Sequence, residues 1–375
     1  VMCHNSGTTD ANSGNVLDLR TMAHKIHSGR RLHSKGEDYT IWGYRDTKFN
    51  YAEVGFQQDL RNCSKCHSAA NASTPQGDNW KSKPSKEACL TCHKSETGTS
   101  WESTHITTLK LGANAAAVGN GSCAGCHGAN TQWSAEQVHW NQNEENAAKY
   151  KMNIESATYD SASRKVTVKY YLSDPTNGNK AYDLKADCTG NCTTSNKFGN
   201  LRFYVAYQSL KNQPTTVTEY SSYNNGGSGA NAYAYTGTNA GANHYSVQIA
   251  IPADTATSEA KGTARVISIG QIKETMLDVV SRQPLAPTTL VNVSVQNTFK
   301  ELALSGTLTP RRTVVSNDKC NACHSLLGTT SGSNMLANAF HGGARDTVES
   351  CVLCHDASRV STGSVMADGS CWNES

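Results

Sequence analysis

Between about residues 150 and 310, apolar and polar positions alternate with a period of two. Val166, Val168, Tyr170 and Leu172 alternate with polar residues, and Leu201, Phe203, Val205 and Tyr207 repeat the pattern. Val247, Ile249 and Ile251 do the same, as do Val291, Val293 and Val295. In a strand, successive side chains point to opposite faces, so each run predicts a strand with one buried face. Turn-forming clusters such as Ser173-Asp174-Pro175-Thr176-Asn177-Gly178 separate the runs. The segment reads as an all-β sandwich or barrel. The stretch from Ser221 to Asn243, rich in Gly, Asn, Ser and Tyr, is too polar to pack and predicts a surface loop.

On either side of this segment the organising pattern is Cys-x-x-Cys-His. It occurs at Cys63, Cys66 and His67; Cys89, Cys92 and His93; Cys123, Cys126 and His127; Cys320, Cys323 and His324; and Cys351, Cys354 and His355. Cys3 and His4 look like the tail of a sixth copy. This is the attachment motif of c-type haem: two thiols about one turn apart add to the two vinyl groups, and the adjacent imidazole binds iron from one face. Cys-x-x-Cys pairs also build zinc ribbons and redox disulfides, and Cys63/Cys66 with Cys89/Cys92 would pass for a ribbon if read alone. But histidine is 13 of 375 residues and follows all five complete pairs, which chance would rarely supply even twice.

Composition changes the picture in one respect. Hydrophobic residues are only 37% of the chain, little aliphatic material for two or three domains. Each porphyrin is a large apolar plate, so the segments around the motifs are expected to fold about their haems and to be unstable without them. The formal charge of +3 is that of the bare chain. Each bis-histidine haem adds roughly one negative charge, two ionised propionates against a net positive iron core. The loaded protein is then slightly negative, and a nucleic-acid-binding reading has no support. No apolar run approaches the roughly 18 residues of a membrane span.

Free histidines supply candidates for the second axial ligand. His24 and His27 lie three apart, on one face if their stretch is helical. His105 lies between the Cys89 and Cys123 motifs, His139 follows the latter, and His341 lies between the last two motifs. His33 is a weaker candidate, and His244 at the edge of the polar stretch reads as a surface residue. His24 and His27 are expected to serve two different haems, because a ring bound to one iron cannot reach another. Of the 14 cysteines, Cys188, Cys192 and Cys371 stand outside the motifs. Cys188 and Cys192 are close enough for a small-loop disulfide, either structural or a strained redox switch. Cys371 has no visible partner.

Several stretches carry a wider likeness. They include Met22-Ala23-His24-Lys25-Ile26-His27-Ser28-Gly29, Tyr39-Thr40-Ile41-Trp42-Gly43-Tyr44, and Val54-Gly55-Phe56-Gln57-Gln58-Asp59-Leu60-Arg61-Asn62-Cys63. Trp80 to Cys89, Tyr170 to Pro175 and Val314 to Cys320 belong with them. With these the chain resembles, nearly end to end, the outer-membrane decahaem cytochromes of the OmcA/MtrC family, most closely in the OmcA manner. The family usually has proline where Gln57 stands, and no ligand at the position of His33. The resemblance implies irregular, mostly loop and short-helix multihaem domains flanking an all-β domain of split-barrel, Greek-key-like form. The chain then reads as a fragment: a truncated pentahaem domain at 1–148, the β domain at 149–310, and the start of a second multihaem domain at 311–375. A lipid anchor, the protein's only tie to the membrane, would lie outside it.

Close-packed haems with histidine on both faces leave no open iron for substrate, and such haems carry electrons. The resemblance implies an exported protein on the outer cell surface. There it would receive electrons through a porin–cytochrome complex and other outer-membrane cytochromes. It would pass them to iron or manganese oxides, soluble metal chelates or flavins. It would be at most an Fe(III) reductase working by outer-sphere transfer. Two rivals stand: a multihaem oxidoreductase with one open haem, and a filament-forming cytochrome with haems running between subunits.

Overall fold

The computed structural model describes residues 3–93, 101–114, 117–186, 197–208, 221–223, 230–232, 243–251, 253, 261–313, 315–328 and 340–353. Cys188, Cys192, Cys354, His355 and Cys371 lie outside the described residues. The chain forms two compact units, Val1–Asn141 with Leu277–Pro284, and Gln142–Met276 with Leu285–Ser375.

The first unit is built of short helices and loops. Its helices are α1 (Leu19–His27), α2 (Gly29–Ser34), α3 (Asn79–Ser82), α4 (Lys86–His93), α5 (Asn120–His127) and α6 (Ala135–Val138). One hairpin, β1 (Thr40–Trp42) with β2 (Lys48–Asn50), pairs Ile41 with Phe49. Asp18 starts α1. Its carboxylate accepts from Arg20 N at 2.9 Å, from the Arg20 guanidinium and from Ser6 Oγ at 2.9 Å. These bonds hold its carboxyl well below the usual carboxylate range. Close approach between α2 and the chain after β2 requires glycine at 29, since a Cβ there would meet Tyr51 O at 1.8 Å. The helices bury little: α1 buries Thr21, α2 Gly29 and Leu32, α4 Thr91, and α5 no residue. Helices this short are marginal in water without a packed face, so something other than the described side chains must supply that face.

The second unit starts with α7 (Gln142–Ala147) and continues as strands. These are β3 (Lys151–Asp160), β4 (Lys165–Asp174), β5 (Lys180–Ala181), β6 (Arg202–Gln208), β7 (Ser221–Tyr223), β8 (Ala230–Asn231), β9 (Tyr245–Ala250), β10 (Lys261–Ile269), β11 (Gln271–Thr275), β12 (Leu290–Ser294) and β13 (Phe299–Ala303). One antiparallel sheet runs β3-β4-β5 with β9 also on β4. A second runs β13-β10-β6-β7 with β8 also on β6, and β11 pairs with β12. The sheets stay open and share one core. Val166, Val168, Tyr170 and Leu172 from β4 meet Phe203, Val205 and Tyr207 from β6 and Ala264 and Val266 from β10. The Tyr170 and Phe203 rings lie 4.6 Å apart, and the Tyr170 hydroxyl donates to Ala232 O. Burying each such ring contributes about 1.5–3 kcal/mol. At the β10–β11 corner, Gly270 holds φ 143 and a Cβ would lie 2.4 Å from Asn200 O.

The polar stretch expected to be wholly loop contains β7 and β8, both paired to β6. Backbone hydrogen bonding to an existing strand makes these short strands, so no apolar alternation marks them. The rest of that stretch lies largely outside the described residues.

The unit ends in α8 (Asn317–His324) and α9 (Val348–Cys351); α9 packs on β10, and Val348 N donates to Asn317 Oδ1 at 2.6 Å. Arg311 donates to Val352 O at 3.0 Å, and Leu353 packs with Ala206, Ile267 and Ile269. Asp346 and Asn297 exchange two hydrogen bonds: Asn297 N donates to Asp346 Oδ1 at 2.9 Å, and Asp346 N to Asn297 Oδ1 at 3.1 Å. No helix among the described residues is long and apolar enough to cross a membrane.

Candidate haem centres

Helical turns set the motif cysteines. Cys63–Lys65 forms a single 3-10 turn running into Cys66 and His67. The other motifs close α4, α5 and α8, and α9 ends on Cys351. Residues three apart share a helical face, so both thiols of a pair can reach one planar ligand. Cys3, Cys63, Cys66, Cys89, Cys92, Cys123, Cys126, Cys320 and Cys351 are free thiols. A zinc ribbon would draw cysteines of two motifs onto one ion. Among the described residues no group of three or more His, Cys, Asp or Glu side chains converges in that way.

Instead, the histidines pair. His24 stacks on His67 with ring centroids 6.0 Å apart and planes 11° apart. His93 faces His139 at 5.9 Å, and His105 faces His127 at 6.1 Å. Each pair joins one motif histidine to one free histidine. Two metal–nitrogen bonds of about 2 Å plus the two half-rings span roughly 6 Å, so each gap admits one metal ion between two rings. His27 pairs differently: its ring meets Phe56 edge-on at 6.1 Å, and no second histidine stacks on it among the described residues.

The free histidines are also oriented alike. Nδ1 of His24, His27, His105 and His139 donates to the carbonyl four residues back: Arg20 at 2.5 Å, Ala23 at 2.8 Å, Trp101 at 3.0 Å and Ala135 at 2.7 Å. His127 Nδ1 donates to Trp133 O at 2.9 Å and His4 Nδ1 to Leu17 O at 3.1 Å. A carbonyl only accepts, so Nδ1 carries the proton and the Nε2 lone pair is left for a metal. Burial holds His67, His93 and His139 below the usual imidazole range, which favours the neutral form a ligand needs.

The three sites are neighbours. Burial pushes the Cys63 thiol up to about 11, with Cys92 and Cys89 adding to it. Cys89 is raised by burial and by Cys123, and His127 acts on both His93 and His139. The His93/His139 site is therefore in the middle. In the second unit, burial and then Cys320 raise Cys351, so the two motifs there are also close. His341 is exposed in the Phe340–Gly343 turn with a left-handed backbone, φ 51. His33 is exposed and donates to Asp38 at 2.5 Å, an ion pair that raises its pKa. His244 pairs with Glu155 at 2.8 Å and stacks on Tyr171.

Other residues at the sites carry no motif. Trp101 stacks on His105 at 5.1 Å; their i, i+4 spacing was the available signal. Arg31 donates to Cys92 O at 3.4 Å. Arg61 forks onto Asp59 and reaches Trp140 O at 3.3 Å, beside His139. Two buried donors of the first unit, Trp80 Nε1 and Arg282 NH1, have no partner among the described residues. A ligand that brings two carboxylates, two thiol-reactive carbons and one metal fits this donor set.

Short helices that present motif cysteine pairs and matched histidines, with an open β unit in the same chain, define a multihaem c-type cytochrome. A family model described as outer membrane cytochrome MtrC/MtrF-like, domains II/IV, matches residues 1–140 and 312–371. The chain belongs to this family, whose members carry covalently bound c-type haem and lie at the outer membrane, exported to the cell surface. Eight chains of solved structures match. The crystal structure of MtrC from Shewanella baltica OS185 is similar with a TM-score of 0.51 at 17% identity, covering 94% of this chain and 52% of that one. The likeness is one of fold, and the chain spans about half the length of that relative. No curated protein matches.

Proposed function

We propose that this protein is an extracellular electron conduit with bis-histidine haems at its five complete motifs and a sixth at Cys3 and His4. The observation that carries the reading is the pairing of His24 with His67, His93 with His139 and His105 with His127 at 5.9–6.1 Å. His27 is the remaining free ligand of the first unit, directed to a further haem, and His341 serves the second unit beside His324 and His355. The thiols of Cys63, Cys66, Cys89, Cys92, Cys123, Cys126, Cys320, Cys323, Cys351 and Cys354 hold the groups covalently.

When bound, haem supplies a one-electron Fe(III)/Fe(II) couple. The protein's own part is positional. At the three paired sites histidine rings would occupy both faces of the metal, leaving no face there for substrate. The carbonyls behind Nδ1 fix the orientation and tautomer of these rings. The contiguity of the Cys63, Cys89 and Cys123 sites supports electron passage across the first unit. Functionally the chain divides at 1–148, 149–310 and 311–375, with the β domain between the two haem-bearing parts in sequence. Electrons would enter from a porin–cytochrome complex or another outer-membrane cytochrome. They would leave one at a time to iron or manganese oxides, soluble chelates or flavins.

The intact mass should show five or six haem additions, and the resonance spectrum of the oxidised protein should be low-spin throughout. Rapid mixing of reduced protein with a soluble Fe(III) chelate should oxidise every haem. A dominant high-spin signal would favour the enzyme with an open haem. Large ordered oligomers in solution would favour the filament.

A further inference from the structure

Arg282 lies in Leu277–Pro284, remote in sequence from the motifs of the first unit yet part of that unit. Asp278 shapes this segment by accepting from Val280 N, Ser281 N and Ser281 Oγ at 3.0, 2.7 and 2.9 Å. Arg282 N donates to Asp278 O at 2.9 Å, and Leu277 bridges to Pro284. The Arg282 backbone is left-handed, φ 58, which a residue with a Cβ adopts only when its surroundings impose it.

The guanidinium carbon lies 3.8 Å from the Trp140 ring centroid, and NH2 donates to Gln137 O at 3.3 Å. Gln137 answers by donating to Val280 O at 3.2 Å. These contacts fix the guanidinium beside the residue that follows His139. The other terminal nitrogen, NH1, is buried with no partner among the described residues. A buried charged donor left unpaired is costly, so the position asks for an anion. The neighbouring carboxylates are engaged elsewhere: Asp278, which attracts Arg282 through space, by Val280 and Ser281, Asp59 by the fork of Arg61, and Glu136 by Lys81 at 2.9 Å.

We propose that Arg282 NH1 anchors a propionate carboxylate of the haem held between His93 and His139. The proposal rests on the haem reading above. A guanidinium is always charged, and its planar fork matches a carboxylate. It acts as a positioning residue, and its charge favours the reduced state of the one haem it faces.

The test is spectroelectrochemical titration of the full haem-loaded protein and its Arg282→Met and Arg282→Lys variants, each checked by intact mass and low-spin spectrum. Arg282→Met keeps an apolar stem over Trp140 without the charge. It should lower the reduction equilibrium of one haem about tenfold, about 59 mV for one electron, and leave the others in place. Arg282→Lys should recover most of that shift. A fully loaded Arg282→Met protein with unchanged potentials, or with every haem shifted equally, would overturn the proposal alone. A wild-type protein without haem would overturn it together with the reading beneath it.

Discussion

In the second unit, Tyr170, Phe203 and Val266 are fully buried in a core shared by two sheets. In the first, the buried apolar side chains among the described residues are Leu32, Tyr39, Ala52 and Val118. The first unit, 149 residues against 226 in the second, carries three histidine pairs at near-equal spacing. One unit is packed by its own residues, while the other is shaped around groups that are not amino acids. The same chain thus contains two solutions to the shortage of aliphatic residues seen in its composition. Strands concentrate what there is into one core. Short helices present thiols and imidazoles to apolar plates that replace a core.

The comparison is broken most severely by withholding haem. Chain produced without haem attachment should lose amide protection in α1, α4 and α5 and keep it in β4, β6 and β10. Hydrogen exchange resolved by mass spectrometry reads this directly, and equal protection of both units would contradict the contrast.

The converse change is Phe203→Ala, which removes a ring from the shared core. It should cost about 3–5 kcal/mol in denaturant unfolding of the second unit. The haem absorbance of the first unit should hold until higher denaturant.

Within the first unit, His24→Ala should convert the haem of the Cys63 motif to high spin or to a substitute ligand and spare the rest. His27→Ala should alter a different haem. Single-mutant resonance spectra distinguish the two, and identical spectra would sink the separate assignment.

The smallest effect is a pH slope confined to the second unit. Burial pushes the Asp346 carboxyl up to about 7 from an ordinary 3.8. The folded state therefore holds this proton more tightly than the unfolded chain does. Its contribution to stability is complete below about pH 4 and is lost as pH rises toward 7. Asp346→Asn should flatten that slope and raise stability at pH 7, as measured by thermal unfolding across the range.

Much of this was legible in the residues. Val166, Val168, Tyr170 and Leu172 announce β4 because a strand buried on one face must alternate. The five motifs announce their cofactor because attachment chemistry fixes spacing and order. The pairing of free with motif histidines was not legible, since His139 is matched to His93 across three intervening helical segments and no local pattern records that. The strands β7 and β8 were hidden because edge pairing needs only backbone groups. Arg282 was hidden for a related reason: an arginine in a loop looks like any solvated charge until the fold sets it against Trp140.

The order in which the pairs close along the chain has a consequence for assembly. An exported polypeptide emerges from its N-terminus. The His24/His67 pair is complete once residue 67 has appeared, and His105/His127 once residue 127 has. His93 must wait for His139, so the middle site closes last of the three. Until then the ring of His93 has no partner, and any intermediate in maturation is exposed to stray ligands there first. Each free ring is locked to a carbonyl only four residues behind it, so it is ready as soon as its own helical turn forms. Maturation then depends on arrival rather than on a search through side-chain conformations.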